Sequence, residues 1–131
     1  MKSEKINTNN AQVWMRDEDI IQCRVKPDAK FTIAEAEEIL NVVKKLTKGK
    51  KHPALVDISK IKSVDKETRD YVADSEFASV NLCVALIVNS PVSKIVGNFF
   101  MGLNKPMFPI KLFNSEDKAL IWLNEYKEKQ G

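Results

Sequence analysis

The segment from Leu82 to Val88, Leu-Cys-Val-Ala-Leu-Ile-Val, is apolar at every position. A strand with one wet face alternates apolar and polar residues, whereas an unbroken apolar run suits a central strand covered on both faces. The chain around it must therefore supply covering helices. Asn89-Ser90-Pro91 follows at once and is a helix start, with Ser90 as cap and Pro91 at the first helical position. The helix it opens, Val92 to Leu103, carries Val92, Ile95, Val96, Phe99, Phe100 and Leu103, and Lys105-Pro106 ends it.

The same alternation of strand and helix extends to both ends. Ala11 to Met15 is a short apolar strand, Arg16 to Asp19 a turn, and Ile20 to Val25 a half-buried strand that completes a hairpin. Thr32 with Glu35 forms a capping box for a helix whose apolar face is Ile33, Ala36, Ile39, Leu40, Val43 and Leu46. Lys44, Lys45 and Lys48 match that helix's negative end, and Gly49 is placed to terminate it. Ala54 to Ile58 is a buried strand, Ser59 to Ser63 a loop, and Asp65 to about Ala78 a second helix with Tyr71, Val72, Ser75 and Ala78 inward. Phe108 to Phe113 is a last strand, placed at an edge by Pro109. Ser115-Glu116-Asp117 opens a final helix with Ala119, Leu120, Leu123 and Tyr126 on its apolar face. The order β-β-α-β-α-β-α-β-α predicts an α/β fold, an N-terminal hairpin followed by parallel βα units.

Composition excludes more than it names. At 131 residues the chain fits a single domain over residues 11–131, with residues 1–10 read as a flexible polar arm. Twenty-one basic against eighteen acidic residues give +3, too weak a bias to imply nucleic acid. No apolar run reaches the ~18 residues of a membrane span. The first ten residues have no apolar leader-like core, so a cytoplasmic location is expected. Cys23 and Cys83 lie far apart without metal-ligand spacing. The four glycines form no phosphate cradle, and no cofactor or metal is expected.

The strand end Leu55-Val56-Asp57-Ile58-Ser59, followed by Val64-Asp65 at a helix start, resembles the STAS domains of sulfate transporters and anti-sigma factor antagonists. Those domains place L-x-D-L-S at a matching strand end and M-D-S-S-G at the helix start. Gly97 to Pro106 also looks like a stretch of uncharacterised bacterial STAS-like proteins. The resemblance spans about Val13 to Tyr126 and implies a SpoIIAA-like fold, in a group that includes the CRAL-TRIO lipid-transfer domains. In the antagonists a serine after the aspartate is phosphorylated by a partner kinase. Here Asp65 matches the aspartate, Lys66 and Glu67 occupy the serine positions, and Thr68 stands where glycine would be.

Two groups of candidate residues follow. Asp57, Ser59, Ser63, Asp65, Lys66 and Thr68 form a regulatory-loop set, in which a phosphate on Ser63 would meet a helix N-terminus and Lys62 or Lys66. The ordinary role of Ser63 or Asp65 is to cap that helix. Asp57 with Ser59, Asn89, Ser90 and Ser93 would line a small polar pocket, or simply bond loop amides. Val96, Phe99, Phe100 and Leu103, with Asn89 and Ser90, form an interface or ligand set: a homodimer or partner surface, the lid of an apolar cavity, or plain core. Gly97 inside that helix costs ~1 kcal/mol relative to alanine and is better tolerated where something packs closely on it. His52, in a lysine-rich loop with Lys50 and Lys51, has no identifiable acid or nucleophile partner.

These features point to a non-catalytic STAS-like regulatory or protein-interaction domain. The alternative is a binder of a small apolar molecule or lipid. An enzyme would need a nucleophile, base and oxyanion donor at the strand ends, where only Asp57, Ser59 and Asn89 gather.

Overall fold

The structure is a computed structural model that describes residues 3–103 and 107–130. Its strands are β1 (Ile6–Asn7), β2 (Ala11–Met15), β3 (Ile21–Val25), β4 (Lys30–Phe31), β5 (His52–Asp57), β6 (Ser63–Val64), β7 (Asn81–Ile87) and β8 (Ile110–Phe113). Its helices are α1 (Ile33–Thr47), α2 (Lys66–Val72), α3 (Ser75–Ala78), α4 (Pro91–Met101) and α5 (Glu116–Gln130). The main sheet has the order β1-β2-β3-β5-β7-β8. Its first three strands are antiparallel, and β3, β5, β7 and β8 are parallel. The mixed sheet and the edge position of β8 agree with the expectation from sequence.

The apolar run on β7 faces two cores. Val84, Leu86 and Val88 point into the larger one, shared with Leu40 and Val43 of α1, Ala78 of α3 and Val96 of α4. Cys83, Ala85 and Ile87 point the other way, onto Ala119 and Leu123 of α5. The crossover helices α1 to α4 thus lie on one face and α5 alone on the other. Alanines on both sides of the α5 contact let helix and sheet approach closely. On the opposite face α4 also comes close: a Cβ on Gly97 would sit 3.0 Å from Leu112 and 3.1 Å from Val88. The close neighbour that the glycine accommodates is the chain's own sheet rather than a partner.

Four local expectations are corrected. Residues 3–10 are not a free arm: β1 pairs with β2, Asn9 N–H donates to Glu38 at 2.9 Å, and Asn10 donates to the Lys30 carbonyl at 2.7 Å. Their polar composition, which reads as solvated, is used to bond α1 and the chain before it. The helix expected over 65–78 is two helices, because the chain turns at Ala73 and Asp74 N–H bonds the Tyr71 carbonyl at 3.1 Å. Short polar side chains such as Asp74 favour turns over helix interiors. The last strand begins at Ile110, not Phe108, although the Pro109 carbonyl already accepts from Val84 N–H at 2.8 Å. His52 opens β5 and is not in the loop, its Nδ1 lying 3.0 Å from the Lys50 carbonyl. The expected stop at Lys105-Pro106 falls outside the described residues.

A buried polar cluster ties α5 to the hairpin. Gln22 on β3 is 1% exposed. Its carbonyl oxygen accepts from Arg16 Nη1 at 2.6 Å, and its amide donates to Glu116 at 3.3 Å. Arg16 also reaches Glu116 at 3.1 Å. The Arg16–Glu116 ion pair is partly exposed and contributes little, whereas an unsatisfied Gln22 oxygen would cost about 1–3 kcal/mol. Arg16→Met should therefore lower the unfolding free energy measured by urea denaturation by that order, and Glu116→Gln, which keeps an acceptor, by much less.

Candidate functional site

The regulatory-loop residues sit beyond the carboxyl end of β5. β4 pairs with β6, and Ala29 and Lys60 bond across the same junction: Lys62 N–H donates to the Ala29 carbonyl at 2.8 Å and Asp28 N–H to the Lys60 carbonyl at 3.0 Å. The loop is therefore fastened to the segment before α1. Within it Asp57 and Asp65 each find a local partner. Asp57 accepts from Ser59 N–H at 2.9 Å and from Ser59 Oγ at 2.6 Å. Asp65 caps α2, accepting from Thr68 Oγ1 at 2.6 Å and Thr68 N–H at 2.8 Å. Those two bonds, the hydroxyl first, hold the Asp65 carboxyl below its ordinary range. Thr68 is 1% exposed, and its hydroxyl is spent on the Asp65 cap. Ser63 is exposed on β6, and Lys66 lies 3.7 Å from Asp70.

The second polar group is also bonded within itself. Ser93 is fully buried, and its Oγ accepts from Asn89 N–H at 3.0 Å and Ser90 N–H at 2.9 Å. Ser90 Oγ accepts from Ser93 N–H at 3.1 Å, completing a reciprocal cap for α4. Asp57 and Ser59 line a polar depression with Gln12, Arg24, Lys26 and Lys60, but Asn89, Ser90 and Ser93 are not part of its wall. The structure thus separates the residues that strand-end reasoning placed in one pocket. Among the described residues no three acidic, histidine or cysteine side chains gather to hold a metal ion. No described helix is long and apolar enough to cross a membrane.

An apolar concavity lies on the face covered by the crossover helices. It is a cavity of about 160 Å³ whose wall is almost wholly apolar. Ala54 and Val56 of β5 and Val84 and Leu86 of β7 form its floor. Ile39 of α1, Thr68 and Val72 of α2, Phe77 of α3, and Val96 and Phe100 of α4 contribute its sides. Ile39, Val72, Phe77 and Phe100 keep part of their surface exposed, so the wall is not sealed. Among the described residues no charged side chain lines the cavity. Of the ligand or interface set, Val96 and Phe100 line the cavity while Phe99 and Leu103 do not. Phe99 instead stacks edge-on against Phe100 at 5.2 Å, and the Arg69 guanidinium lies 4.6 Å from its ring centroid.

Sequence reasoning missed Arg69. Its Nε is a buried nitrogen without a hydrogen-bond partner among the described residues. A single arginine in a helix flanked by acidic residues gives no signal in sequence. The floor residues were legible only as core, since burial periodicity does not distinguish a packed face from a hollow one.

The cysteines divide between the two cores. Cys23 lines the cavity and Cys83 faces α5. Burial pushes both thiols up to about 12, with the Asp57 charge adding to the effect on Cys23. Neither thiol should react with iodoacetamide at pH 8 in the folded protein, and both should react in urea, as intact-mass spectrometry would show.

A model of a domain of unknown function, DUF7793, matches residues 13–127. No curated protein matches the chain. Among solved structures the chain is similar to an uncharacterised protein of the DUF3478 family with a SpoIIAA-like fold from Shewanella loihica PV-4. The two share 19% identity over 92% of this chain and 99% of that one, with a TM-score of 0.63. That likeness establishes a SpoIIAA-like fold here and carries no activity with it.

Proposed function

The chain belongs to the DUF7793 family, a domain of unknown function, and we propose that it is a non-catalytic binding domain for a small apolar molecule held in the cavity between the sheet and helices α1 to α4. The observation that carries this reading is the cavity itself, about 160 Å³ with an apolar wall. Protein interiors pack at the density of organic crystals and leave few voids larger than a water. An engineered apolar cavity of about 150 Å³ stays dry and binds benzene. The strand-end side chains Asp57, Asp65, Ser90 and Ser93 support the same reading from the other side, because they are bonded within turns and helix caps.

Titration with 1-hexanol, a neutral probe of suitable size, tests the proposal. A ligand that binds only the folded state stabilises it by about 2.7 kcal/mol at a hundred times its Kd, so the melting temperature should rise with probe concentration. Ala54→Leu adds bulk on the cavity floor and should abolish that rise without unfolding the protein. A melting temperature insensitive to 1-hexanol in the wild type, together with an Ala54→Leu variant that fails to fold, would mean a closed core and would end the proposal.

A second reading is favoured by the outer side of α4. Val92 and Ile95 are 38% and 65% exposed and lie about 60° apart around the helix, an exposed apolar pair on one side of it. It supports self-association or a protein contact. Ile95 is 65% exposed, so Ile95→Glu should change stability little while reducing any dimer seen by sedimentation velocity. A wild type that sediments as a monomer across the accessible concentration range would remove self-association.

A further inference from the structure

Arg69 and Phe99 meet beside the cavity from opposite helices. Thr68 and Val72 of α2 line the cavity, and so do Val96 and Phe100 of α4. Successive helical residues are about 100° apart. Arg69 therefore lies about 60° around α2 from Val72, and Phe99 lies about 60° around α4 from Val96. Both side chains stand at the border of the apolar wall, and the guanidinium rests on the ring at 4.6 Å. This contact spans from α2 to α4 and orients the arginine.

The guanidinium is under-used. It has five N–H donors in a planar fork suited to a carboxylate. Its Nε is buried and unpartnered among the described residues, a state that costs free energy unless an acceptor arrives. Two nearby acids have partners of their own, and neither is hydrogen-bonded to the guanidinium. Asp65, whose carboxyl feels the Arg69 charge, accepts both Thr68 bonds, and Asp70 lies 3.7 Å from Lys66. Of the polar residues of the cavity wall, Thr68 gives its hydroxyl to Asp65, and Asn81 has no charge to pair with an anion.

We infer that the occupant is an amphipathic carboxylate, its apolar body in the cavity and its carboxylate bonded to Arg69 at the border. The inference rests on the apolar-ligand reading and adds the chemical class of the ligand to it. A hydrocarbon body of about benzene size fills the hollow, and one anionic group at its end pairs with the one arginine beside it. Phe99 acts as the platform that holds the guanidinium plane in place.

Isothermal titration of hexanoate and of 1-hexanol against wild type, Arg69→Met and Arg69→Lys tests this. Hexanoate should bind the wild type at least tenfold more tightly than 1-hexanol. Arg69→Met should weaken hexanoate tenfold or more and change 1-hexanol less than twofold, with Arg69→Lys intermediate because it keeps charge without the fork. Equal binding of the two probes, unchanged by Arg69→Met, would overturn the carboxylate inference and leave the cavity reading intact. Binding of neither probe to folded wild type would overturn both. If melting shows that Arg69→Met does not fold, Arg69→Lys decides: an unchanged preference for hexanoate in that variant counts against recognition by the fork.

Discussion

Dry burial of β7 on both faces is the condition to which the rest of the molecule conforms. Val84, Leu86 and Val88 on one side and Cys83, Ala85 and Ile87 on the other have no polar atom beyond a thiol to offer water. Each methylene withdrawn from water contributes about 0.8 kcal/mol, so exposing either face would be costly for a domain of this size. Helices must lie on both faces, and the chain provides them unequally. A single helix, α5, covers one side and lies close because Ala85 and Ala119 are small. Its position is fixed at the sheet's other end by the Arg16–Gln22–Glu116 cluster, which satisfies the buried Gln22 amide.

The opposite face is covered by pieces. α1 is long and packs on the hairpin, α2 is interrupted after Val72, α3 is a single short turn, and α4 is drawn onto Leu112 and Val88 through Gly97. Helices fixed at separate points cannot all close on the sheet, and small floor side chains such as Ala54 leave the space unfilled. The cavity follows from that geometry. It is bordered where α2 and α4 meet through Arg69 and Phe99, a contact of charge on ring instead of apolar interdigitation. A hollow of this kind lacks partner atoms on one side and forfeits the dispersion energy they would supply, which is why an occupant of matching shape is favoured.

The polar residues at the strand ends show a contrasting economy. Asp57 with Ser59, Asp65 with Thr68, and Ser90 with Ser93 are each short-range pairs that satisfy backbone N–H groups at a turn or helix start. Buried and half-buried polar groups left unpaired are expensive, so local pairing is the low-energy arrangement in the absence of a ligand. Arg69 is an exception on the same side of the molecule, and its buried Nε finds no acceptor among the described residues.

The sequence by itself determined the class of fold. The unbroken apolar run at Leu82 to Val88, the Ser90-Pro91 helix start, the Thr32–Glu35 pairing and the edge strand marked by Pro109 are local or periodic signals, and each reappears in the structure. Features that depend on neighbours distant in the chain were left to the tertiary structure. The fastening of residues 3–10 onto α1, the split of the second helix, and the separation of Asp57 and Ser59 from Asn89 and Ser90 belong to that group. So does the difference between Phe100, which lines the cavity, and Phe99, which holds an arginine, although the two are adjacent. Periodicity reports which side of an element is buried. Whether that side meets atoms or empty space is decided by how several elements are held apart, and no single segment of the chain carries that information.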